Sequence, residues 1–294
     1  MGTFAVTGSA SGMGAAVTAR LTADGHRVVG VDRKAADVVA DLSTAAGRAD
    51  ATREVLDRVD GHLDGAVMAA GLGPTPGGER LVATVNVLGV IELLTGWRPA
   101  LEAAGGKAVV LGSNSSTTTP LVPRVAVRRL IAGDVDGAVR VLRRFGPASP
   151  AFTYAASKIA VTRWARRTAV TPSWAGAGVN LNILAPGAVM TPLLRSQLEG
   201  RNAGQVRQFP IPTRHYGTPE TMAAWIAMML GPAAVDMAGS MVVVDGGTDA
   251  HFRSEHWPAP VPLRALARYG VRFLRHDAHV RPEEDPREVD TITR

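Results

Sequence analysis

The chain has 294 residues, 46% hydrophobic and 20% charged, a composition with which one large α/β core can be buried. It contains no cysteine, which excludes a disulfide framework, a thiolate nucleophile and a cysteine-ligated metal. The net charge of +6 comes from scattered basic residues interleaved with acids, without a long basic tract, so we expect no nucleic-acid partner.

The start of the chain and its apolar runs bear on location. The first strand is predicted to begin at Thr3 or Phe4, which leaves no room for a signal or transit peptide. The longest uncharged apolar run, 222–235, is shorter than the roughly 20 residues that a bilayer requires, and Gly231-Pro232 interrupts it. We therefore expect a cytoplasmic protein without membrane association.

A glycine-rich turn follows the first predicted strand, Thr3–Thr7, and Met13, Val17 and Leu21 then repeat at helical spacing. Glycines let a backbone approach a pyrophosphate, and the helix N-terminus after them supplies free N–H groups. A glycine triplet can also mark only a tight turn, but its place at the first strand-to-helix crossover favours a nucleotide site. The candidate cofactor-binding residues here are Gly8, Ser11, Gly12, Met13 and Gly14.

Carboxylates follow the next two predicted strands. Asp32 ends the second strand, where an acid accepts hydrogen bonds from both adenosine ribose hydroxyls and repels a 2′-phosphate, so it favours NAD over NADP, although Arg33 lies beside it. Residues 38–42 are predicted as a third strand whose Asp41 and Leu42 reach the adenine edge. Asp41 can equally be an acid of a turn.

Further polar residues that are candidates for the functional site follow the predicted fourth and fifth strands. A buried fourth strand runs into a turn with Ala70 and Gly71, and a helix predicted over 81–95 carries Asn86, which in an apolar helix usually bonds neighbouring backbone. The fifth strand, 108–111, delivers Ser113 at its C-terminal end, where open α/β sheets bind ligands.

Two short helices, 125–132 and 134–145, are predicted between Ser113 and Tyr154, with Asp134 as N-cap of the second. They decorate the core and do not extend the sheet. Their arginines favour a solvated helix face over an anionic partner.

Tyr154 and Lys158 are four residues apart at what is predicted to be the start of a helix. Residues at this spacing share a helix face, so we expect the Lys158 ammonium to lie beneath the phenol and lower its pKa. Only three lysines occur in the chain, at 34, 107 and 158. Taken alone, the pair can be an ordinary solvated helix face.

The last part of the core begins with a sixth strand, 179–184, followed by a turn that holds more candidate cofactor-binding residues, namely Pro186, Gly187, Val189 and Thr191. Residues 192–215 have weak periodicity and are predicted to be a mobile lid that contributes Leu193, Leu194 and Ile211 to an apolar substrate wall. A helix, 220–230, and a seventh strand, 240–247, complete the domain.

The C-terminal residues beyond the predicted domain have a different pattern of apolar and charged residues. Leucines and arginines occupy opposite faces over 263–275, which predicts a basic amphipathic helix that packs on its own domain or on a second subunit rather than on a membrane. The motif His276-Asp277-Ala278-His279 lacks an evident third ligand, so we expect no metal. Residues 282–294 are predicted to be disordered.

Together, these motifs resemble the short-chain dehydrogenase/reductase family over about residues 3–250. The matching elements are Thr7-Gly8-x-x-x-Gly12-x-Gly14, Asp32, Asp41-Leu42, Asn86-Val87-x-Gly89, Ser113, Tyr154-x-x-x-Lys158 and Pro186-Gly187 with Thr191. Within the family the chain looks most like the bacterial 3α-hydroxysteroid dehydrogenase/carbonyl reductase subgroup. The reason is that 41 residues (154 − 113) separate Ser113 from Tyr154, and the predicted helical insert accounts for this unusually long separation.

The resemblance implies an α/β fold: one doubly wound Rossmann-type domain, 1–250, with a seven-stranded parallel sheet, a helical insert at about 117–149, and an extension, 251–294. It implies that Tyr154 protonates the developing alkoxide while NADH passes a hydride to the carbonyl carbon. Ser113 orients the same oxygen, in preference to Ser115 or Ser116, Lys158 bonds the nicotinamide ribose, Asn86 holds a relay water, and Thr191 contacts the carboxamide. The family signature Asn-Asn-Ala-Gly reads Met68-Ala69-Ala70-Gly71 here, which is expected to alter packing only.

We thus expect an NAD-dependent alcohol dehydrogenase/ketone reductase for a small hydrophobic, cyclic or steroid-like substrate, with Ser115 as a further substrate contact. Aryl and terpenoid alcohols fit the same apolar lid. The alternatives are a silent NAD(H)-sensing protein and an enzyme whose basic tail tethers it to a membrane or a partner. The family commonly forms homodimers or homotetramers through helices bordering the insert, so the insert is expected to cover one such interface.

Overall fold

The computed structural model describes residues 1–200, 203–256 and 260–274. Compact packing divides the chain into two units, Met1–Ser254 and a second unit that begins at Glu255. The first unit contains one parallel sheet of seven strands in the order β3-β2-β1-β4-β5-β6-β7. The strands are β1 Thr3–Thr7, β2 Arg27–Asp32, β3 Val38–Val39, β4 Gly65–Met68, β5 Lys107–Leu111, β6 Asn180–Pro186 and β7 Met241–Val244.

The α-helices of both units follow in chain order. They are α1 Gly12–Ala23, α2 Ala45–Arg58, α3 Glu79–Ala83, α4 Gly89–Ala104, α5 Ser115–Thr118, α6 Arg124–Ile131, α7 Val135–Leu142, α8 Ser149–Thr168, α9 Pro192–Glu199, α10 Ala203–Arg207, α11 Pro219–Leu230, α12 Thr248–Arg253 and α13 Leu266–Leu274. A π-helical segment, Thr84–Leu88, joins α3 to α4, and 3₁₀ turns occupy Arg143–Ala148, Ala175–Ala177, Pro232–Ala234, Ser254–His256 and Leu263–Ala265.

Helices cover both faces of the sheet, as parallel strands require. On one face α1 and α11 pack together and bury residues such as Val17 and Ile226. On the other face lie α2, α4 and α8, with Trp97 of α4 fully buried. The predicted doubly wound fold is confirmed, and the carboxyl ends of β1, β4, β5 and β6 lie side by side at one edge.

The insert is helical, as predicted. Asp134 caps α7 by accepting a hydrogen bond from Gly137 N at 2.8 Å, and α6 packs on α8. Buried Leu130 and Leu142 join the insert to the main core. Because the 3₁₀ turn that ends the insert leads directly into α8 at Ser149, Tyr154 lies in the second turn of its helix and not at the start.

Other boundaries differ from the sequence predictions for local reasons. The third strand is only Val38–Val39, and Asp41 lies in a turn where its Oδ1 accepts from Ser43 N at 2.9 Å. Helix α2 begins at Ala45, since Thr44 Oγ1 accepts a hydrogen bond from Gly47 N at 2.9 Å and caps the helix. The predicted lid contains two helices, α9 and α10, the first capped by Thr191.

The 26 residues Glu79–Ala104 are long and apolar enough to cross a membrane by length and composition. Of their most apolar window, 56% is buried inside the protein. Leu93, Leu94 and Trp97 belong to the core beneath the sheet. The hydropathy of this helix is that of a buried core element.

The second unit contains a 3₁₀ turn, Leu263–Ala265, and α13, Leu266–Leu274. The helix predicted in the tail is therefore present. What it packs on stays a prediction, and the histidine motif at 276–279 and the segment 282–294 lie outside the described residues.

Candidate active site

The turn between β1 and α1 depends on close approach between backbones. Gly8 has φ +71°, and a Cβ there would lie 2.8 Å from Ala70 N. A Cβ on Gly14 would lie 2.1 Å from the carbonyl oxygen of Gly8. Ser11, the N-cap of α1, makes no side-chain cap hydrogen bond, so the first N–H groups of the helix stay available to an anion.

Asp32 connects β2 to this turn. Its Oδ2 accepts from Ala10 N at 3.1 Å and its Oδ1 accepts from Lys34 N at 3.1 Å. The carboxylate is therefore held beside the glycine turn in a fixed orientation. Asp41 lies at the same end of the sheet, and the backbone hydrogen bond from Ser43 lowers the pKa of its exposed carboxyl.

A groove of about 370 Å³ runs along these residues. It is lined by predicted cofactor-binding residues, namely Gly8, Ser11, Gly12, Met13, Asp32, Asp41, Leu42, Ala70, Gly71 and Thr191. A second cavity of about 470 Å³ contains Ser113, Tyr154, Lys158, Pro186, Gly187 and Val189. Met13, Gly71 and Thr191 line both, so the two cavities form one cleft.

Ser113 and Tyr154 meet in the second cavity despite their separation in the chain. Ser113 follows β5 and is buried, while Tyr154 projects from α8. The Ser113 hydroxyl lies close enough to the phenol to affect its pKa, and Ser113 Oγ accepts from Ser115 N at 3.1 Å. The backbone of the β5 turn thus orients the serine toward the phenol.

Lys158 is buried under this pair. Its Nζ lies 5.9 Å from the centroid of the Tyr154 ring and donates to Leu111 O at 2.8 Å. Burial lowers the pKa of the Lys158 ammonium to about 8. The predicted arrangement of an ammonium beneath a phenol is therefore present.

The predicted effect of Lys158 on the phenol is not the net effect. Burial raises the pKa of the Tyr154 phenol, and the hydrogen bond from Ser113 offsets only part of that increase. Burial disfavours the phenolate because a charged oxygen loses its hydration. Tyr154 is thus a protonated acid at neutral pH.

The Asn86 side chain hydrogen-bonds the backbone of Leu72 and the side chain of Ser157, and it does not line the cleft. Its Oδ1 accepts from Leu72 N at 2.8 Å, and its Nδ2 donates to Leu72 O at 3.0 Å and to Ser157 Oγ at 3.1 Å. The side chain lies in the π-helical segment, 1% exposed. It fixes the turn after β4 against α8, and a role for Asn86 in holding a relay water stays a prediction.

The turn after β6 is packed closely on the next strand. A Cβ on Gly187 would lie 2.7 Å from Asp245 Cβ, and Pro186 O accepts from Asn114 N at 3.0 Å. Thr191 Oγ1 accepts from Leu194 N at 3.3 Å, and its Cγ2 lies 3.4 Å from where a Cβ on Gly12 would be. Thr191 therefore joins the glycine turn to the lid.

Three of the four predicted substrate contacts line the cleft, namely Ser115, Leu193 and Leu194. Ile211 does not: it packs on the Gly246 turn, where a Cβ would lie 2.7 Å from Ile211 Cγ2. Gln197 also lines the cleft, and the sequence analysis missed it. Thr191-Pro192 is a helix-start signal that, combined with the four-residue spacing from Leu193, could have identified it.

Comparison with known proteins agrees with this geometry. Residues 141–249 match the family model described as Enoyl-(Acyl carrier protein) reductase. The 3-alpha-hydroxysteroid dehydrogenase/carbonyl reductase of Comamonas testosteroni is 38% identical over 255 residues, covering 86% of this chain and 98% of the relative. Cis-4-hydroxycyclohexanecarboxylate dehydrogenase of Sinomonas cyclohexanicum is 31% identical over 83% of this chain and 95% of the relative.

A solved structure is also similar. The crystal structure of the 3-alpha-hydroxysteroid dehydrogenase from Pseudomonas sp. B-0831 complexed with NADH has a TM-score of 0.80 at 43% identity. The match covers 87% of this chain and 100% of that chain. With its fold, its cleft and these relatives, the chain belongs to the short-chain dehydrogenase/reductase family and is an oxidoreductase.

Proposed function

We propose that the protein transfers a hydride between NAD(H) and a hydrophobic secondary alcohol or ketone. The observation that carries the proposal is that Ser113, Tyr154 and Lys158 line one largely apolar cavity, which opens into the glycine-turn groove. A phenol beside a serine hydroxyl can exchange a proton with one substrate oxygen.

The groove suits a dinucleotide. Gly8 and Gly14 leave no room for side chains, so the backbone can approach a diphosphate, and the α1 N-terminus offers N–H groups to it. Asp32 is oriented to accept hydrogen bonds from ribose hydroxyls, and its charge opposes a 2′-phosphate. The NADH complex of the Pseudomonas relative supports the same cofactor.

When bound, the nicotinamide supplies or accepts the hydride. Tyr154 donates its proton to the carbonyl oxygen as negative charge develops there, and Ser113 donates a hydrogen bond to the same oxygen. Lys158, held by Leu111 O, stabilises the phenolate that remains. In alcohol oxidation the phenolate takes the proton back.

The cavity lining supports a hydrophobic substrate. Apart from Lys158, the described residues that line it are uncharged, and its apolar members include Met13, Leu72, Pro74, Leu194 and Phe209. Two relatives are named for substrates with a ring-borne hydroxyl. A cyclic secondary alcohol or its ketone is therefore the substrate class we propose.

Replacing the phenol tests the proposal. Tyr154→Phe should lower kcat for reduction of a cyclic ketone by about 10²–10⁴-fold, because the general acid is lost, while the Kd for NADH is unchanged. Fluorescence titration and NADH consumption measure the two quantities. Tyr216→Phe, outside the cleft, is the control and should retain full turnover. Full activity of Tyr154→Phe would reject the assignment.

A further inference from the structure

Most polar side chains in the Tyr154 cavity already have partners. Lys158 donates to Leu111 O, Asn114 Nδ2 donates to Asp245 Oδ2 at 3.2 Å, and Thr191 caps α9. Ser113 and Tyr154 are the proposed reacting pair. Among the other polar side chains that line the cavity in the described part of the chain, two have no hydrogen-bond partner: the buried Ser115 hydroxyl and the amide of half-buried Gln197.

The two free groups come from different parts of the fold. Ser115 donates its backbone N–H to Ser113 Oγ, so it belongs to the end of the cavity where the reaction takes place. Gln197 lies on α9, one turn after Leu193, and lines the Tyr154 cavity without lining the cofactor groove. Its amide is therefore placed to meet substrate and not cofactor.

Gly71 and Gly73 show which backbone the two ends of the cavity border. A Cβ on Gly71 would lie 3.6 Å from Lys158 Nζ, whereas a Cβ on Gly73 would lie 3.2 Å from Gln197 Nε2. The lysine beneath the phenol and the glutamine amide therefore border the same turn after β4 and line the same cavity. A substrate in this cavity can meet both.

Gln197 is half-buried, so water can satisfy its amide until a ligand displaces that water, and polar groups of this kind in mostly apolar cavities fix the orientation of ligands. We propose that the substrate carries a second, uncharged hydrogen-bonding group, such as a hydroxyl or carbonyl, which the Gln197 amide binds. The group is uncharged because Lys158 is the one charged side chain among the described lining residues, and Leu111 O already engages its ammonium. This inference rests on the proposed ketone reductase activity.

Matched substrates test it. The probes are 2-decalone and three analogues that carry a hydroxyl, a carbonyl or a carboxylate on the second ring, each tested as its separate positional isomers. The best hydroxyl or carbonyl isomer should exceed plain 2-decalone about fivefold to tenfold in kcat/KM, the range of one net hydrogen bond. No carboxylate isomer should exceed the plain ketone, and a preferred carboxylate would overturn the proposal.

Gln197→Leu assigns the preference to the amide. The variant should lower kcat/KM for the preferred isomer to within about twofold of the value that the same variant shows with 2-decalone, mainly through KM, so the preference between the two substrates is lost. Gln208→Leu, an exposed glutamine outside the cavity, should retain the preference. A preference that survives in Gln197→Leu, or that is absent from the unmodified protein, rejects the inference. Failure of every ketone to oxidise NADH rejects the proposed function instead.

Discussion

The two halves of the cleft are built from different contacts. In the groove beside the glycine turn, backbone meets backbone: a Gly14 Cβ would lie 2.1 Å from Gly8 O. At the lid, flexible side chains meet bare backbone: a Gly73 Cβ would lie 3.1 Å from Leu193 Cδ2. A backbone cannot move aside, whereas a side chain can rotate. A side chain added in the groove should therefore disrupt its structure, whereas a side chain added at the lid should be accommodated by small side-chain movements.

The largest effect is expected in the groove. Gly14→Ala should destabilise the protein by about 3 kcal/mol or more and abolish measurable NADH binding, because two backbone segments must separate. Urea unfolding and NADH fluorescence measure these changes. Gly204→Ala, where nothing lies within 4 Å of the new Cβ, is the control and should leave stability the same or slightly higher. Equal midpoints for both variants would contradict the comparison.

The Lys158 ammonium should limit the pH range over which the protein reduces ketones. Since the pKa of Lys158 is lowered to about 8, kcat/KM for ketone reduction should fall about tenfold per pH unit above that value as the ammonium is lost. Tyr154 stays protonated there because its pKa is raised. Lys158→Arg, although slower, should lack this limb. If kcat/KM of the arginine variant falls over the same pH range, the fall is caused by another titrating group.

The lowered pKa of Lys158 also predicts how the free energy of unfolding changes with pH. The unfolded lysine keeps its ordinary pKa of 10.5, so between about pH 8 and that value the unfolded state binds more protons. The free energy of unfolding should therefore gain a contribution that rises with pH across this window and is absent below it. Unfolding of Lys158→Met from pH 7 to 10.5 should lack that rise, whereas Lys107→Met should keep it.

Cofactor choice should respond to charge within the groove. Asp32→Asn keeps one oxygen acceptor, enough for either Ala10 N or Lys34 N, and removes the negative charge, so it should improve NADPH use roughly tenfold relative to NADH. Asp32→Ala should do the same and also weaken both cofactors, since the turn loses its support. Measured kcat/KM for the two cofactors decides. An unmodified protein that prefers NADPH would show our interpretation of Asp32 to be wrong.

The smallest effect is expected at the lid. Gly73→Ala should raise KM for ketones by about twofold to fivefold and leave NADH affinity unchanged, because Leu193 and Gln197 need to move only a few tenths of an ångström. Steady-state kinetics at saturating NADH gives the first value, and titration gives the second. A loss as large as that of Gly14→Ala would remove the distinction between the two halves.

Local patterns predicted the groove because its parts are adjacent in sequence. The glycine turn, its helix and the acid at the end of β2 all lie within residues 3–32. The helix spacing of Tyr154 and Lys158 is equally local. The two helices of the insert were predicted with Asp134 as the N-cap of the second, and the structure contains both helices and that cap.

Predictions failed where distant residues decide the outcome. The direction of the Tyr154 pKa shift depends on burial, which no spacing reveals. For Asn86 the relay-water role stays a prediction, and local spacing could not reveal its observed partners, which are 14 and 71 residues away in the chain. Ile211 was assigned to the cleft by its apolar character alone, and the Gly246 turn holds it elsewhere.

Short-range spacing and residue type were enough to predict the fold, the glycine turn after β1 and the Tyr154–Lys158 pair. Long-range packing brings Ser113 to Tyr154 across the insert, lowers the pKa of Lys158 to about 8 and turns Gln197 toward the cavity. Those properties arise from burial and long-range contact, which exist only once the sheet, α8 and the lid are packed together.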